Sequence, residues 1–213
     1  MELELIEQKS PEWFELRRGK FTSSELWKLF KTDRSKQNFG EVAKTYVMDK
    51  VSEIITGTQK EVNGLPVKWG NYYEPIAKAE YEQLKEVSVM DVGFVEYSNY
   101  FGGSPDGLVG SSGIIEIKCP FNTNQHIENF MLQTAADFWL HSNEYYYQIQ
   151  GNLLATDRKW CDFISYDVRC SDKFRIKVIR IERDEPTIEQ IKLKVNEAGD
   201  LLDSILKKLV NLP

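Results

Sequence analysis

The sequence predicts a mixed α/β fold, in which helices pack on a central sheet that contains a β-hairpin. Two observations support this prediction. Apolar residues repeat with a helical period in some segments and form short β-like runs in others. The segments follow one another as helices, a cluster of strands, a helix, two strands and a closing helix, an order typical of helices that cover the faces of one sheet.

The helices of the first half are predicted from their start and stop signals. Thr22-Ser23-Ser24-Glu25 has the pattern of a capping box that opens a short helix toward Phe30. A second helix ends at Gly57, and its apolar stripe consists of Val42, Tyr46, Val51, Ile54 and Ile55. A third helix is expected over about residues 70–85, with Pro75 in its first turn, where proline is tolerated.

The strands are predicted near residues 88–96, 106–109 and 113–118, and again near 160–167 and 174–182. Gly110-Ser111-Ser112-Gly113 predicts a hairpin turn between the second strand and the third.

Helices are also predicted in the second half of the chain. One is expected over about residues 144–156, whereas residues 121–143 show no clear period. The last segment, about residues 186–210, is an amphipathic helix whose apolar face carries Ile188, Ile191, Val195, Ala198, Leu202, Ile205 and Leu209.

The composition is that of an ordinary globular protein. The chain has 213 residues, of which 41% are hydrophobic and 28% charged, and we expect a single domain over residues 1–213. The sequence has no run of about 18 apolar residues, so no membrane span is expected. The N-terminus lacks the basic and apolar regions of a signal peptide. The three cysteines show no metal-ligand spacing, so a structural zinc site is not expected and a reducing cytoplasm is the expected location.

The net charge of −6 argues against a protein that coats nucleic acid nonspecifically. It does not exclude a nuclease, because acidic metal ligands lower the total and DNA contact depends on local patches. One basic patch consists of Lys28, Lys31, Arg34 and Lys36, and a solvated helix end accounts for it equally well.

Acidic and basic side chains come together on the predicted hairpin. Glu116 and Lys118 are two residues apart on a strand, so they point to the same face, and the hairpin returns Asp106 to their side. Two carboxylates suit a hard cation such as magnesium, and a nearby lysine can hold a water or a phosphate oxygen. The alternative is a surface hairpin whose charges face water, but Ile115 and Ile117 indicate a buried strand.

The hairpin and its flanking motifs resemble a known family. Pro105-Asp106 followed by Glu116-x-Lys118 resembles the PD-(D/E)xK nuclease signature. Motifs before the hairpin are similar to those of the lambda-type phage recombination exonucleases, the YqaJ-like viral recombinase family: Trp13 to Gly19 with Thr22-Ser23-Ser24, and Trp69-Gly70-x-x-x-Glu74.

Two further motifs continue the match in the same order, Tyr145-x-x-Gln148-x-Gln150 and Ile181 to Glu185. The resemblance spans about residues 11–185 and implies a restriction-endonuclease-like fold, a single domain with a central mixed β-sheet flanked by helices.

The resemblance implies roles for the residues of the cleavage centre. Asp106 and Glu116 would be metal ligands, with the backbone carbonyl of Ile117 completing the shell, and Lys118 would position or activate the attacking water. Glu74 would be an additional acidic residue near a second metal position; an ordinary surface helix residue is the alternative.

A helix residue, Gln148, would approach this centre. Tyr145 falls one turn earlier on the same face, and packing accounts for it as well as a function in DNA binding does. Gln150 is expected to face away.

The resemblance also implies a site for the 5′-phosphate of a DNA end. Arg17, Ser24 and Ser104 match the residues of that site. The chemistry agrees, because arginine binds phosphate bidentately and a helix start favours an anion. Arg18 is the alternative to Arg17 if the alignment shifts by one residue. In the family, an arginine of the phosphate pocket would fall near Asn124 of this chain. Asparagine cannot supply the positive charge of that arginine, and His126 is a possible substitute for it.

The implied function is that of a 5′-to-3′ exonuclease that requires Mg²⁺, for which Mn²⁺ substitutes. It would degrade one strand of linear double-stranded DNA with 5′-phosphorylated ends and leave 3′ single-stranded tails. The resemblance further implies a homotrimer and a single-strand annealing protein as partner in phage-type recombination, in the cytoplasm of a bacterial host cell.

Two alternatives remain open. A site-specific or structure-specific endonuclease would need a base-reading element, for which only residues 121–143 are a candidate. A non-catalytic DNA-end binding module would have no need to keep Asp106, Glu116 and Lys118 together.

Overall fold

The computed structural model describes residue 8 and residues 10–32, 38–59 and 63–212. The helices are α1 (Pro11–Arg17), a 3₁₀ helix (Ser23–Phe30), α2 (Glu41–Thr56), α3 (Leu65–Lys85), α4 (Thr123–Met131), α5 (Ala135–His141), α6 (Asn143–Thr156), α7 (Asp172–Arg175) and α8 (Glu185–Val210). The strands are β1 (Phe21–Thr22), β2 (Val89–Met90), β3 (Val95–Ser98), β4 (Phe101–Gly103), β5 (Gly107–Val109), β6 (Gly113–Lys118), β7 (Trp160–Tyr166) and β8 (Ile176–Glu182).

The strands form two sheets. The larger sheet has five strands in the order β2-β5-β6-β7-β8, and the smaller has three in the order β1-β4-β3. Strand β6 pairs antiparallel with β5 and parallel with β7, so the larger sheet is mixed. The predicted mixed α/β fold, with the hairpin in the central sheet, is confirmed.

Alternate residues of β6 face different helices. Ile114 shares a core cluster with Ile149 of α6, whereas Ile115 shares another with Tyr81 of α3. Because side chains alternate along a strand, Glu116 lies on the same side as Ile114, toward α6. The strand therefore presents Glu116 and Lys118 to α6, on the same side as Ile114, and presents Ile115 and Ile117 to α3.

A third core cluster joins α2, the 3₁₀ helix and α8. The closing helix was predicted with nearly its observed bounds, and its apolar face is buried as far as Leu202. Its last apolar residue in the predicted stripe, Leu209, is 41% exposed. Within the ranges described above, no helix is both long and apolar enough to cross a membrane.

The predicted start of α3 was wrong. The helix begins at Leu65 with Pro66 in its first turn, and Pro75 lies in its interior. Proline removes one N–H from the helix at that point. The helix continues because Ala77 and Tyr81, beyond the proline, are buried against the sheet, and packing rather than propensity decides most helices.

Two details of the first helices were also wrong. Thr22 precedes a 3₁₀ helix, and its side chain makes no capping hydrogen bond. In α2, Val42, Ile54 and Ile55 of the predicted stripe are exposed, and the buried residues are Ala43, Tyr46, Val47, Lys50 and Val51.

Other elements went unpredicted because they are short. Strand β4 is three residues long and contains two glycines. Residues 121–143 form α4 and α5, and α4 buries the polar side chains of His126 and Asn129, so it has no apolar period.

Candidate active site

Glu116 is the best-buried charged residue of the hairpin, with 1% of its surface exposed. Its Oε1 accepts hydrogen bonds from Lys118 Nζ at 2.7 Å and from Gln148 Nε2 at 2.5 Å. Its Oε2 accepts a hydrogen bond from Asn152 Nδ2 at 3.0 Å. A buried carboxylate requires such partners, and here they come from one strand and one helix.

Asp106 reaches the same strand across the hairpin. Its backbone N–H donates to the Ile115 carbonyl at 3.1 Å, and its Oδ2 accepts from the Ile117 N–H at 2.6 Å. The antiparallel register that pairs Gly107 with Ile115 makes this contact possible. The structure therefore brings Asp106, Glu116 and Lys118 together, as the hairpin predicted.

The turn of this hairpin is held by a residue that the sequence analysis did not single out. Arg158 Nη1 donates to the carbonyls of Val109, Gly110 and Gly113, at 3.3, 2.8 and 2.8 Å. Gly110 has a φ of +53°, a left-handed conformation in which glycine avoids strain. The arginine and the glycine together fix the turn between Asp106 and Glu116.

Burial and like charge both act on the two carboxylates. Burial raises the pKa of Asp106 well above its usual value, and the charges of Glu116 and Glu74 raise it further. Burial likewise raises the pKa of Glu116, although Lys118 opposes that effect. Burial alone lowers the pKa of Lys118, but Glu116 and Asp106 more than offset it, so the pKa is raised and the ammonium stays protonated.

Glu74 lies on α3, close enough to affect both carboxylates. It is half-buried, and its Oε1 would lie 3.5 Å from a Cβ built on Gly70, one helical turn earlier. Trp69 packs on Tyr73 and Phe121, beside the end of β6.

The donor set fits a hard divalent cation. In the described part of the chain, no three His, Cys, Asp or Glu side chains are placed to hold a metal by themselves. Asp106 and Glu116 would share the cation with main-chain oxygen and water, as magnesium sites commonly do. Burial is the main cause of the raised pKa of both carboxylates, and a divalent cation bound between them would favour their charged forms.

Ile117 contributes its main chain to this site. Its N–H is donated to Asp106, and the role predicted for its carbonyl stays a prediction.

Helix α6 presents three side chains to the site. Gln148 and Asn152 are one turn apart and each bonds one oxygen of Glu116. The ring of Tyr145 lies 5.1 Å from Lys118 Nζ and stacks on Phe163 at 5.8 Å. Gln150 faces away, as predicted, and donates to the Glu182 carbonyl.

Arg17 and Ser104 meet at a second place. Arg17 Nη1 lies 3.4 Å from Ser104 Oγ, and the Trp13 indole N–H donates to the same Oγ at 3.1 Å. The guanidinium also lies over the Trp13 ring, 3.9 Å from its centroid. Burial lowers the pKa of Arg17 to about 10. Arg18, the alternative in the alignment, instead pairs with Glu15.

A cleft of about 990 Å³ extends from Trp13 and Arg17 to the 3₁₀ helix and α2, and Ser104 is not among the described residues that line it. Arg17 and Ser24 line it, as do Lys28 and Lys50. Tyr145 is not among the described residues that line this cleft. Its ring instead lies beside Lys118. Of the predicted basic patch, Lys28 lies in the cleft, and Arg34 and Lys36 fall outside the described residues.

His126 cannot replace the expected arginine. It is fully buried, with Nδ1 2.8 Å from Ser165 Oγ and Nε2 2.7 Å from the Phe174 carbonyl. Asn124, where the arginine was expected, is exposed in the first turn of α4. The suggestion that His126 supplies a cation there was wrong.

Besides Arg158, sequence reasoning missed two residues that organise the site. Trp13 was noted only as part of a motif, although tryptophan close to arginine in an N-terminal helix is a signal for a stacked pair. Asn152 had one signal, its position four residues after Gln148, which places both on one helix face.

Comparison with known proteins gives the same assignment. The model of the YqaJ-like viral recombinase domain matches residues 12–159. The chain is 35% identical to an alkaline exonuclease (LHK-Exo) from Laribacter hongkongensis, with a TM-score of 0.81 over 94% of this chain and 96% of that one. The same exonuclease in complex with dAMP matches at 35% identity over the same shares, with a TM-score of 0.82.

A phage related exonuclease from Haemophilus somnus 129PT, 20% identical, shares the fold with a TM-score of 0.73 over 89% of this chain and 96% of that one. No curated protein matches the chain significantly. The match to the family model over most of the chain and the identity to LHK-Exo lead to one conclusion: the chain belongs to the YqaJ-like viral recombinase family.

Proposed function

We propose that this protein is a metal-dependent exonuclease that degrades one strand of linear double-stranded DNA from its 5′ end and leaves a 3′ single-stranded tail. The observation that carries the proposal is the buried Glu116 carboxylate, held by Lys118 and Gln148 beside Asp106. The relationship to LHK-Exo supports it, and dAMP, found with that relative, is a mononucleotide of the kind such a reaction releases.

The cation would be Mg²⁺, with Mn²⁺ as a substitute. Asp106, Glu116 and the Ile117 carbonyl would hold it, and Glu74 lies near enough to serve a second cation position. When bound, a divalent cation lowers the pKa of its water and neutralises charge on the phosphate.

Lys118 and Gln148 act on the groups that react. Because the raised pKa keeps Lys118 protonated, its ammonium is a hydrogen-bond donor and orients a water or a phosphate oxygen instead of removing a proton. Gln148 holds the carboxylate of Glu116 in place beside it.

Arg17, Ser24 and Ser104 would bind the 5′-phosphate of the DNA end. Ser104 Oγ accepts hydrogen bonds from Trp13 and Arg17, so its own O–H is directed elsewhere and can donate to an anion. Arg17 keeps its positive charge at neutral pH, since its pKa, although lowered, is about 10. Lys28 and Lys50 line the cleft with Arg17, but Lys28 pairs with Glu25 and Lys50 with Glu53, so neither lysine replaces the charge that Asn124 cannot supply.

The reaction serves phage-type recombination in this proposal. The 3′ tail would pass to a single-strand annealing protein, and three copies of the chain would form a ring around the DNA. The annealing partner and the trimer are both proposed from the family relationship. The cytoplasm of a bacterial host is proposed as the location on the same ground.

The test uses three substrates with Mg²⁺: linear duplex with 5′-phosphate ends, the same duplex with 5′-hydroxyl ends, and closed circular duplex. We expect mononucleotides from linear DNA, early release of a 5′ label, and a 3′ label that stays on shortening fragments. Glu116→Gln protein, purified in parallel, excludes a contaminating nuclease.

Each other outcome contradicts a stated part of the proposal. Cutting of the closed circle identifies an endonuclease. Binding of DNA ends without cleavage identifies a binding module, and early release of a 3′ label reverses the direction.

A further inference from the structure

Asn152 is a fully buried asparagine whose amide points at the cleavage centre. It has 0% of its surface exposed, and its Nδ2 donates to Glu116 Oε2 at 3.0 Å. Gln148 holds the other oxygen, Oε1, at 2.5 Å. Two amides one helical turn apart thus hold both oxygens of one carboxylate.

The surrounding backbone is shaped to admit this amide. A Cβ at Gly103 would come within 2.4 Å of Asn152 Oδ1 and within 2.6 Å of Ser23 Oγ. A Cβ at Gly151 would come within 2.9 Å of the same Ser23 hydroxyl. The absence of side chains at these two positions lets α6 approach β4 closely enough for Asn152 to reach Glu116.

Stability does not account for an asparagine at this position. Its Oδ1 is buried and accepts no hydrogen bond within the described part of the chain. An unsatisfied buried oxygen carries a desolvation cost, and an apolar side chain of similar size would avoid that cost. The benefit lies in the hydrogen bond that the other amide atom donates to Glu116.

We infer that Asn152 is a positioning residue, which sets the plane of the Glu116 carboxylate and thereby its strength as a ligand for a divalent cation. This inference rests on the proposed function, in which Glu116 holds that cation. It assigns Asn152 a task that Gln148 and Lys118 do not perform, because both of them bond Oε1 and only Asn152 bonds Oε2.

The test measures the affinity of the purified protein for Mn²⁺ alone by titration calorimetry, without DNA. Asn152→Leu removes the amide at similar size, and Asn152→Ala removes it without any risk of overpacking. We expect both variants to bind Mn²⁺ roughly 10- to 100-fold more weakly, the usual effect of losing an outer partner of a metal ligand.

Gln150→Met is the matched control. Gln150 is a fully buried amide on the same helix, but it donates to the Glu182 carbonyl and not to Glu116. The Gln150→Met substitution is expected to lower the thermal stability of the protein in EDTA and to leave its Mn²⁺ affinity unchanged. If Gln150→Met weakens Mn²⁺ binding as much as Asn152→Leu does, the effect is structural and the inference is wrong.

The variant Glu116→Gln separates this inference from the proposed function. If Glu116→Gln itself leaves Mn²⁺ binding and cleavage unchanged, the proposed function fails. If Glu116→Gln abolishes both but the Asn152 variants match the parent, only the positioning role is refuted.

Discussion

Glu116 depends on side chains from two different elements for its geometry. Lys118 comes from its own strand, whereas Gln148 and Asn152 come from α6. A carboxylate buried in this way is held by three donors at once, and each donor favours its charged form. The same burial makes the carboxylate sensitive to small changes around it.

Replacing either acidic residue of the centre by its amide should reduce cleavage to background. Asp106→Asn and Glu116→Gln keep the size of the side chain but remove the negative charge that a divalent cation needs. Release of nucleotides from linear duplex measures the effect, and circular dichroism checks the fold. Parent-like cleavage by either variant would remove that residue from the site.

Trp13 makes two contacts at the proposed phosphate site, a hydrogen bond to Ser104 and a cation–π contact with Arg17. Two variants of Trp13 distinguish the effects of these contacts. Trp13→Phe keeps an aromatic ring beneath Arg17 but loses the hydrogen bond to Ser104, which is worth about 1 kcal/mol. We expect roughly a fivefold smaller ratio of kcat/KM between 5′-phosphate and 5′-hydroxyl ends. Trp13→Ala, which also removes the cation–π contact, should lower the ratio further.

The control is Trp27→Phe, because Trp27 also lies beside a cation, Lys31, but does not line the cleft in the described structure. An equal loss of phosphate preference in this control would show that Trp13 has no special role.

At the scale of elements, close approach between backbone segments places the site. Helix α6 packs against β4 through Gly103 and Gly151. Just beyond the C-terminal end of β6, Arg169 bonds the carbonyls of Pro120 and Phe121 and pairs with the buried Asp167. These contacts fix the connection from β6 to α4.

Gly103→Ala should separate α6 from β4. Its Cβ would meet Asn152 Oδ1 at 2.4 Å, so one of the two must move. Overpacking of this kind costs about 1–3 kcal/mol, which denaturant unfolding would measure. Gly70→Ala is the control, since its nearest contact would be an ordinary 3.5 Å. Equal stability of the parent and Gly103→Ala would contradict the proposed close packing.

Asp167→Asn should destabilise the protein at neutral pH and much less in acid. Burial raises the pKa of Asp167, but hydrogen bonds from Arg169 more than offset that effect, so the folded-state pKa is lowered. Such a carboxylate stabilises the fold above its unfolded pKa of about 3.9 and loses that contribution as the pH falls through the folded value.

We expect Asp167→Asn to lower the free energy of unfolding by about 1–3 kcal/mol at pH 7. The difference between the variant and the parent should become smaller below about pH 4. Asp172→Asn is the control, because its pair with Arg175 has an aspartate 91% exposed and such pairs contribute little. A pH-independent difference for Asp167→Asn would show that the ion pair is not its cause.

At the scale of the whole molecule, the positive charges of the cleft are paired with acidic ones. The chain carries a net charge of −6, and the cleft that contains Arg17, Lys28 and Lys50 is also lined by Glu25, Asp49 and Glu53. Lys28 pairs with Glu25, and Lys50 pairs with Glu53. We therefore expect a phosphate to be attracted by Arg17 and not by a net positive charge of the cleft.

The proposed ring predicts a trimer in solution. Several large apolar side chains remain exposed in the single chain, among them Leu65, Leu140 and Leu193, and a subunit interface would cover such residues. Sedimentation equilibrium should give about 74 kDa, three times the 24.8 kDa chain. A mass of one chain at micromolar concentration would exclude the ring.

The sequence by itself determined the hairpin and the alternation of helices and strands. Both depend on local rules, since glycine and serine define the turn and a period of two places Glu116 and Lys118 on one face. The motifs then related the chain to its family. Where local rules were misleading, as at Pro75, a residue distant in the sequence provided the packing that overrode them.

Only the tertiary structure decided which side chains complete the site. Asn152 and Glu116 are 36 residues apart, and Trp13 and Ser104 are 91 apart. No period or turn signal relates such pairs, because their contact depends on how α6 packs on β4 and how α1 packs beside the hairpin. The chemistry of the hairpin is therefore a property of local sequence, and its orientation is a property of packing between distant segments.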